Sequence, residues 1–556
     1  MFGILLNNLG ITTNPIRILL FLSPKSIVML IRRLLVALFL TLFYQSYAQV
    51  DTTAIILTPK PGPAPRINGP RIFGVRPGHP ILFTIPVTGA RPLQFSAGKL
   101  PPGVILDKTT GRLSGSVATA GEYIIQLHVR NKAGHADRPL RLIVGEKIAL
   151  TPPMGWNSWN IYASKITQTL VEANARAMVS SGLIDHGWSY MNIDDCWQGA
   201  RGGAFHGILP DSTVFPNMQA LCDEVHGMGL KIGTYSTPWV ESYGHHIGGS
   251  AMNAEGLFER TKENIPRNKK QLPYAIGTHS FLKNDVQQFT AWGFDYLKYD
   301  WNPIELPETK AMYEALRNSS RDVVLSLSNS APFTGVADWA GWSNAWRTGG
   351  DIRDNWNSLK SRLFTQDKWA PYGGPGHWND PDMMIVGYVG WGKGARPTML
   401  TPDEQYTHVS AWCLMSVPLL LGCDMTRLDP FTISLLSNDE VLALDQDPLG
   451  HQATVISLQG EAGIMAKDLE DGTKAVGLFY PGDSLASQKI TLHWSDLGIT
   501  GKYIVRDIWR QKDLGTFQDQ FSADVPRHGV VLITLRAAGN PSPVTKKTRS
   551  PAPAAD

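Results

Sequence analysis

The amino-acid sequence predicts a multidomain protein in which a (β/α)8 TIM barrel lies between two smaller all-β domains. Two patterns carry this prediction. Between residues 149 and 445, eight short apolar runs that end in polar residues alternate with helical segments, as in parallel βαβ units. About 290 residues with eight such units is the size of a (β/α)8 barrel. On either side, short alternating strands are separated by Gly and Pro turns, which is typical of β-sandwiches.

The composition agrees with several packed domains and argues against a nucleic-acid-binding protein. The chain has 556 residues, of which 43% are apolar and 18% are charged, and this composition excludes a disordered chain. Its formal charge of +3 falls to −1 without residues 1–48, which hold four basic and no acidic residues. A nearly neutral chain offers no broad basic surface, so we expect no nucleic-acid partner.

The leading segment resembles a secretory signal. Arg32 and Arg33 precede an apolar stretch over residues 34–44, and Ser46-Tyr47-Ala48 supplies a small-x-small cleavage site. Eleven apolar-rich residues are too few to span a bilayer. We therefore predict a signal peptide over residues 1–48 and an exported protein, periplasmic or secreted, that has no membrane span after cleavage.

Residues 58–145 are predicted to form the first β domain. A Pro- and Gly-rich lead-in is followed by β-like runs at 81–87, 123–129 and 140–144. The segment LPPGV at 100–104, followed by DKTTGRLSG at 107–115, resembles the immunoglobulin-like modules found beside secreted bacterial glycosidases. Such a module can act as a spacer, as a binding domain or as a purely structural element.

The barrel prediction rests on eight strands, which we place around residues 154–159, 190–195, 231–236, 296–300, 323–328, 345–351, 378–383 and 418–424. Helices are predicted between them, for example over 166–181, 285–292 and 307–318. The segment 241–278 is too long for an ordinary strand-to-helix loop. Loops of this length are often functional, and we expect this one to form a wall over the active face.

The C-terminal region returns to short alternating strands over residues 450–538, with a hairpin signal at Asp471-Gly472. This pattern predicts a second β-sandwich, and residues 539–556 form a Pro- and Ala-rich tail that is expected to be disordered. The chain has four cysteines, none in a CxxC spacing. We expect free buried thiols, and two disulfide bridges are the alternative.

Polar residues follow most of the predicted barrel strands. The carboxyl ends of parallel strands form one face of a barrel, so these side chains should gather at one mouth. A cluster of carboxylates there suits a hydroxyl-rich ligand and acid/base chemistry, whereas any single Asp is equally well explained as a helix cap or a salt bridge. The strand-end set comprises Asp194, Asp195, Lys298, Asp300, Arg347, Asp351, Asp380, Asp382 and Asp424.

Two of these carboxylates have neighbours that predict different pKa values. Lys298 and Asp300 share one face of a strand, so the cation should lower the pKa of Asp300 and keep it ionised. Asp351 lies between Trp346 and Trp356, whose rings should raise its pKa and favour a proton donor, although Arg347 opposes this. A structural ion pair and an ordinary turn Asp are the respective alternatives.

The sequence contains no motif for metal binding, nucleotide binding or serine-hydrolase chemistry. No HxH, HExxH or EF-hand spacing accompanies His377, and there is no phosphate-binding loop or GxSxG elbow. We therefore expect neither a metal nor a cofactor. Trp156, Trp159 and Trp197 lie beside the polar strand ends and could form aromatic walls against a sugar ring, or simply pack in the core.

Six motifs in order resemble glycoside hydrolase family 27, the α-galactosidase family. The resemblance covers roughly residues 149–538 and is carried by PPMGWNSWN (152–160), NIDDCW (192–197), LKYDWN (297–302), WRTGGDIRDNW (346–356), GGPGHWNDPDM (373–383) and LALDQDPLG (442–450). It implies a retaining double displacement, with Asp300 as nucleophile and Asp351 as general acid/base, their carboxyl groups about 5–5.5 Å apart. It further implies substrate binding by Trp159, Asp194, Asp195, Tyr235, Lys298 and Arg347.

The sequence departs from the family pattern at two places. Asn302 stands where the nucleophile motif commonly has Cys, and nothing obvious pairs with Cys196, so packing is expected to hold the fold. The fifth strand ends in SLSNSAP (326–332) where the family commonly has Cys-Glu-Trp. These small residues should leave room near the 2-position of the sugar. Ser328 and Asn329 can bind the substrate there or cap the following turn.

These observations favour an exported exo-acting α-galactosidase whose partner is a galactose-containing oligosaccharide or glycan. An enzyme of the same fold and mechanism that acts on α-N-acetylgalactosaminides or β-L-arabinopyranosides is the first alternative. A non-catalytic carbohydrate-binding protein is the second, and the presence of Asp300, Asp351, Lys298 and Arg347 together argues against it.

Overall fold

The computed structural model describes residues 55–258 and 276–539. The predicted signal peptide over residues 1–48, residues 540–556 of the predicted tail and part of the predicted wall segment lie outside the described residues. In the described ranges, no helix has both the length and the apolar character needed to cross a membrane.

The first β domain has two packed sheets, as predicted. Residues 55–145 contain nine strands: β1 (Arg66–Ile67), β2 (Ile72–Val75), β3 (Ile81–Thr84), β4 (Val87–Thr88), β5 (Gln94–Ala97), β6 (Val104–Leu106), β7 (Arg112–Gly115), β8 (Gly121–Asn131) and β9 (Gly134–Val144). A four-stranded sheet has the order β2-β9-β8-β5, a three-stranded sheet has the order β3-β7-β6, and β1 pairs with β4. Alternate residues such as Phe83, Leu113 and Leu127 form a shared core.

Two glycines explain part of the sequence signature of this domain. Gly103 and Gly115 have φ values of +89° and +99°, a backbone region that favours glycine. A Cβ on Gly115 would lie 1.9 Å from the Gly103 carbonyl oxygen. The two backbones can approach this closely because neither residue has a side chain.

The first domain contacts the amino-terminal face of the barrel. Arg76 forms an ion pair of 2.6 Å with Asp322, which precedes the fifth barrel strand. The Thr84 hydroxyl donates to the Gly229 carbonyl at 2.7 Å, close to the start of the third barrel strand. This domain therefore packs on the side opposite to the carboxyl ends of the strands.

The barrel region contains strands β10–β23 and helices α1–α10 among its described residues. The eight barrel strands are β10 (Met154–Asn157), β11 (Tyr190–Asn192), β14 (Lys231–Ser236), β17 (Tyr296–Asp300), β18 (Val324–Ser328), β19 (Ala345–Arg347), β20 (Trp378–Asp380) and β23 (Leu419–Leu421). The other strands are β12 (Gln198–Gly202), β13 (Gly207–Pro210), β15 (Ser250–Ala251), β16 (His279–Ser280), β21 (Tyr388–Val389) and β22 (Arg396–Pro397). The helices are α1 (Trp159–Tyr162), α2 (Gln168–Ser180), α3 (Met218–Gly227), α4 (Leu282–Trp292), α5 (Leu306–Arg317), α6 (Val336–Trp342), α7 (Trp356–Leu363), α8 (Pro402–Met415), α9 (Pro430–Leu436) and α10 (Asp439–Asp445).

The eight predicted strands are confirmed, and they form a parallel sheet that curls on itself. Neighbours follow the chain order from β10 to β20, and β10 also pairs with β23. A parallel bridge between Met384 and Leu421 joins the segment after β20 to β23 and completes the ring. Several strands are shorter than predicted because their terminal polar residues, such as Asp194 and Asp195, leave the ladder and turn into the barrel mouth.

Helix α8 connects the barrel to the C-terminal sandwich. Thr401 and Glu404 form a reciprocal capping box at its start, which satisfies two of the free backbone N–H groups of the first turn. Residues 404–415 of this helix are all buried. The helix is covered on all sides because it packs against other barrel elements and against strands of the sandwich.

The C-terminal domain is the predicted antiparallel sandwich. It contains β24 (Thr454–Gln459), β25 (Ala462–Asp468), β26 (Lys474–Phe479), β27 (Ser487–His493), β28 (Lys502–Asp507), β29 (Lys512–Gln518), β30 (Gln520–Pro526) and β31 (Val530–Ala537). Six strands have the order β24-β25-β26-β31-β28-β29, and β27 pairs with β30. Side chains from both sheets share one core, and β25 and β26 pair across the hairpin at Asp471-Gly472.

All four cysteines are free and buried, which confirms the prediction made from their spacing. Burial raises the pKa of each thiol above its usual value. Such groups stay protonated and unreactive at neutral pH. The fold is therefore held without disulfide bridges.

We predict that a thiol reagent will label almost none of the native protein. Cys196, Cys222, Cys413 and Cys423 are buried, so the reagent reaches them only after unfolding. Colorimetric titration without reductant should find close to zero thiols in the native protein and four in guanidinium chloride. Two thiols or none in the denatured sample would contradict the free-cysteine structure.

Candidate active site

A single pocket at the carboxyl ends of the barrel strands gathers the predicted site residues. It encloses about 630 Å³ including its open mouth. All nine residues predicted for the site line it, namely Trp159, Asp194, Asp195, Tyr235, Lys298, Asp300, Ser328, Arg347 and Asp351. Asn160, Tyr243, Asn329, Asp382 and Met383 complete the lining.

The parallel register explains why residues far apart in sequence become neighbours here. Tyr235 on β14 lies opposite Lys298 on β17, and Asp300 on β17 lies opposite Ser328 on β18. Alternate residues of a strand point to the same side, so Lys298 and Asp300 both face the barrel interior. The pocket is thus assembled from the last residues of consecutive strands.

Lys298 forms a buried ion pair with Asp194. Its Nζ lies 2.7 Å from Asp194 Oδ2, and the two side chains are 14% and 2% exposed. The Ser158 hydroxyl accepts a hydrogen bond of 2.9 Å from the Asp194 backbone N–H. The Asp194 carboxylate is therefore held in place in the pocket, where it can accept hydrogen bonds from a ligand.

Asp195 is fixed by neutral donors. Its carboxylate accepts hydrogen bonds from the backbone N–H groups of Gly244 at 2.6 Å and Cys196 at 2.7 Å, and from the Gln198 amide at 3.1 Å. Burial raises the pKa of Asp195, while hydrogen bonds from Ser242 and Gly244 oppose that shift. Because Gly244 belongs to the segment after β14, this segment contributes directly to the pocket.

Arg347 bridges two further carboxylates. Its guanidinium lies 2.8 Å from Asp382 Oδ2 and 3.3 Å from Asp351 Oδ1. Asp382 has a φ of +96° and accepts the Ile352 backbone N–H at 2.7 Å. The strained turn at Asp382 is thus tied to the loop that carries Asp351.

Lys298 acts to lower the pKa of Asp300, as expected, but the expected net decrease is wrong. Burial raises the pKa of Asp300 to about 6, and the opposing effect of Lys298 does not offset it. Lys298 donates instead to Asp194. Asp300 also accepts a close hydrogen bond from the Asn329 side-chain amide. At neutral pH the Asp300 carboxylate is mostly ionised but poorly solvated, which favours its reactivity.

The expectation that the pKa of Asp351 is raised is also wrong. Burial acts to raise the pKa of Asp351, but the Arg347 and Lys298 cations outweigh it and hold this pKa below its ordinary value. Trp346 is fully buried, and Trp356 stacks on His528 of the sandwich with 4.1 Å between ring centroids. The Asp351 side chain remains 59% exposed.

Some residues considered from sequence do not reach the pocket. Trp156 and Trp197 are core residues whose indole N–H groups donate to the carbonyls of Cys423 and Tyr235. Asp424 caps the short helix Met425–Arg427 and accepts from Thr426. Among the three proposed aromatic walls, only Trp159 lines the pocket.

Sequence reasoning missed three of the lining residues, Asn160, Tyr243 and Met383. Asn160 follows a residue that was identified, and its amide Nδ2 is buried without a hydrogen-bond partner. Tyr243 lies in the long segment 241–278, where little periodicity indicates which side chain faces the site. Among the described residues of this segment, Tyr243 lines the pocket and Ser242 and Gly244 hydrogen-bond Asp195, which supports the expectation that the segment forms a wall of the site.

The pocket has no arrangement suited to a metal. Within residues 55–258 and 276–539, no three His, Cys, Asp or Glu side chains are grouped to hold a metal ion. Lys298 forms an ion pair with Asp194, and Arg347 forms one with Asp382. The arrangement can bind a polyhydroxylated ligand and perform chemistry with the carboxyl groups of Asp300 and Asp351.

Family models match three parts of the chain. A model described as "Alpha galactosidase A" matches residues 151–252 and 269–447. A model for the C-terminal β-sandwich domain of α-galactosidase matches residues 459–535, and an Ig domain model matches residues 64–145.

Individual relatives extend this similarity. Alpha-galactosidase 2 of Arabidopsis thaliana is 36% identical over 403 residues, which cover 71% of this chain and 92% of the relative. A solved structure from Bacteroides fragilis is 30% identical with a TM-score of 0.75 and covers 85% of this chain and 98% of its own. A β-L-arabinopyranosidase structure from Geobacillus stearothermophilus is 27% identical with a TM-score of 0.60, covering 70% and 98% of the two chains.

We predict that Lys298→Met destabilises the folded protein by about 3 kcal/mol, because it leaves Asp194 buried without its partner. Lys310→Met is the matched control, since Lys310 lies on the surface, 4.0 Å from Glu314, and should change the free energy of unfolding by less than about 1 kcal/mol. Denaturant unfolding followed by fluorescence measures both. An equal free energy of unfolding for the two variants would contradict the proposed contribution of the Lys298–Asp194 ion pair to stability.

Proposed function

The chain belongs to the α-galactosidase family of glycoside hydrolases, and from this membership we propose that it is a retaining exo-glycosidase that releases terminal α-D-galactosyl residues from oligosaccharides or glycans. The observation that carries this proposal is the pairing of Asp300 and Asp351 in one pocket with contrasting environments. A pair of carboxyl groups in one pocket is what a retaining glycosidase requires.

The shape and polarity of the pocket support an exo-acting enzyme. Asp194 and Asp195 are buried in the pocket beside the partly buried Lys298, whereas the Asp351 side chain is largely exposed. A terminal sugar can enter with its hydroxyl groups toward the floor while the rest of the substrate remains outside. Trp159 lines the same pocket and offers an aromatic surface to the sugar.

In the proposed reaction, Asp300 attacks the anomeric carbon of the sugar and forms a glycosyl–enzyme ester while the glycosidic C–O bond breaks. Asp351 gives its proton to the departing oxygen. In the second step Asp351 takes a proton from water, the water oxygen attacks the anomeric carbon, and the bond to Asp300 breaks. The configuration is retained because the carbon is inverted twice.

In the free enzyme only one of the two carboxyl groups has the protonation state that this reaction needs. Asp300, with a pKa of about 6, is already mostly ionised at neutral pH, whereas Arg347 favours the ionised form of Asp351. The reaction requires a protonated Asp351. The bound sugar must therefore loosen the contact between Arg347 and Asp351, while the carboxylate of Asp382 keeps Arg347 in place.

A second candidate keeps the fold and mechanism but changes the sugar. Ser328 and Asn329 are small residues at the end of β18 that line the pocket, and they support activity on α-N-acetylgalactosaminides or β-L-arabinopyranosides. The similarity to a solved β-L-arabinopyranosidase is consistent with this alternative. A panel of aryl glycosides with these three sugars, compared by kcat/KM, decides between them.

We also retain, as proposals, an exported protein with a signal peptide over residues 1–48 and a division into domains at 58–145, 149–445 and 450–538. The matched family ranges support this division. The first domain contacts the amino-terminal face of the barrel, which supports a structural or spacing role more than a direct contribution to the pocket.

We predict that Asp300→Ala lowers hydrolysis of an aryl α-galactoside by at least about a thousandfold, because no nucleophile remains. Asp351→Ala should lose most of its activity on substrates with poor leaving groups and much less on activated aryl substrates, which need little proton donation. Asp424→Ala is the control, since Asp424 lies outside the pocket. Full turnover by Asp300→Ala would contradict the assigned nucleophile.

We further predict that kcat/KM for an activated aryl α-galactoside falls about tenfold per pH unit below about pH 6. Asp300 must be ionised to attack, and its pKa of about 6 lies above that of an ordinary carboxyl group, so activity is lost earlier as the pH falls. The Asp351→Ala variant should keep this acidic limb. An acidic limb near pH 4 in both proteins would argue against a poorly solvated Asp300.

A further inference from the structure

The geometry points to Asn329 as a positioning residue that holds one oxygen of the Asp300 carboxylate, with Tyr243 as the anchor of Asn329. This inference rests on the proposed function, in which Asp300 is the nucleophile. It assigns a role to a side chain that the family motifs in this sequence do not specify and that lies in the segment 326–332, where the sequence departs from the family pattern.

The Asn329 amide is bound on two sides. Its Nδ2 donates a close hydrogen bond to Asp300 Oδ1 and a second one of 3.2 Å to the Tyr243 hydroxyl. A side-chain amide nitrogen has two hydrogens, and these two acceptors account for both. The plane of the Asn329 amide is therefore fixed relative to Asp300.

The backbone of Asn329 favours this placement. Asn329 directly follows β18 and has a φ of +69°, a left-handed conformation that Asn adopts more readily than most residues. Its predecessor Ser328 pairs with Asp300 across the parallel ladder. The left-handed residue therefore stands beside the end of β17, where its amide reaches the carboxylate.

Tyr243, in the segment after β14, is itself held in place and so supports Asn329 from outside the barrel strands. Its ring packs edge-to-face on the buried Trp239, with 5.2 Å between the centroids. The next residue, Gly244, donates its backbone N–H to Asp195 at 2.6 Å. One short segment thus orients the substrate-facing Asp195 directly and Asp300 through Asn329.

A neutral donor suits a nucleophile better than a cation. The Lys298 ammonium, the nearest cation on the same strand, is hydrogen-bonded to Asp194 at 2.7 Å, so it does not clamp Asp300. The Asn329 amide restrains Oδ1 without neutralising the carboxylate, which leaves Oδ2 to attack the anomeric carbon. Misplacement of reacting atoms by about 1 Å costs on the order of a hundredfold in rate.

The test compares wild type with Asn329→Gly, which removes the amide but tolerates the positive φ. The variant should lower kcat by about 10- to 100-fold with KM changed less than about threefold. It should also move the acidic limb of kcat/KM to higher pH, because loss of a donor disfavours the ionised carboxylate. Asp519→Gly is the matched control, since Asp519 also has a positive φ of 67° but lies in an exposed turn of the sandwich.

Two further variants separate positioning from other roles. Asn329→Asp keeps the size and shape of the side chain but replaces the donor with a charged acceptor, so it should lower kcat at least as much as Asn329→Gly. Tyr243→Phe should lower kcat by about two- to tenfold, and the double variant with Asn329→Gly should be no worse than Asn329→Gly alone. Full activity of Asn329→Asp, or a change in KM alone, would overturn the inference.

A titration without substrate separates this inference from the proposed function. Carboxyl-labelled aspartate followed by NMR reports the pKa of Asp300, with the signal assigned by its loss in Asp300→Asn. Removing Asn329 should raise this pKa, whereas Asp519→Gly should not change it. If the wild type hydrolysed none of the three aryl glycosides, the proposed function would fail. The titration would still show whether Asn329 hydrogen-bonds the Asp300 carboxylate. An unchanged pKa in Asn329→Gly would refute the positioning role.

Discussion

The partial neutralisation of buried carboxylates by two cations is the constraint on which the rest of this site depends. Asp194, Asp300, Asp380 and Asp382 are all buried near Lys298 and Arg347. Two cations do not balance this number of anions, and burial raises the pKa values of Asp300 and Asp380 to about 6. Ion pairs hold such a site together, but some of its carboxylates lack a cationic partner. These carboxylates can therefore accept hydrogen bonds from a polar ligand.

The barrel and the site were predictable from sequence because of a simple geometric rule. Parallel strands end at one face, so polar residues that follow apolar runs were expected to meet there, and seven of the nine strand-end residues line the pocket. Trp159 and Tyr235, which also line it, were indicated by the family resemblance and not by this rule. The same rule misassigned Asp424, because a strand-end carboxylate can equally cap the next helix. The spacing of a residue in the sequence predicts that it lies near the barrel mouth. It does not show whether its side chain lines the pocket or caps the next helix.

The remaining differences come from burial and from irregular backbone. The pKa shifts of Asp300 and Asp351 were predicted in the wrong directions because sequence neighbours, Lys298 and the two indoles, are not the dominant influences on them. Lys298 is engaged by Asp194, and Trp356 faces the sandwich. Tyr243 belongs to a segment without periodicity, so only the folded chain shows that it reaches the site.

The four unpaired cysteines have a consequence for how this protein can be made. Because the native structure contains no cross-link between sulfur atoms, folding does not depend on an oxidant or on a disulfide isomerase. The same native state is accessible in a reducing cytosol and in an oxidising medium. The compartment used for expression can therefore be chosen for yield alone. A reducing agent in the buffer leaves the barrel and its pocket intact.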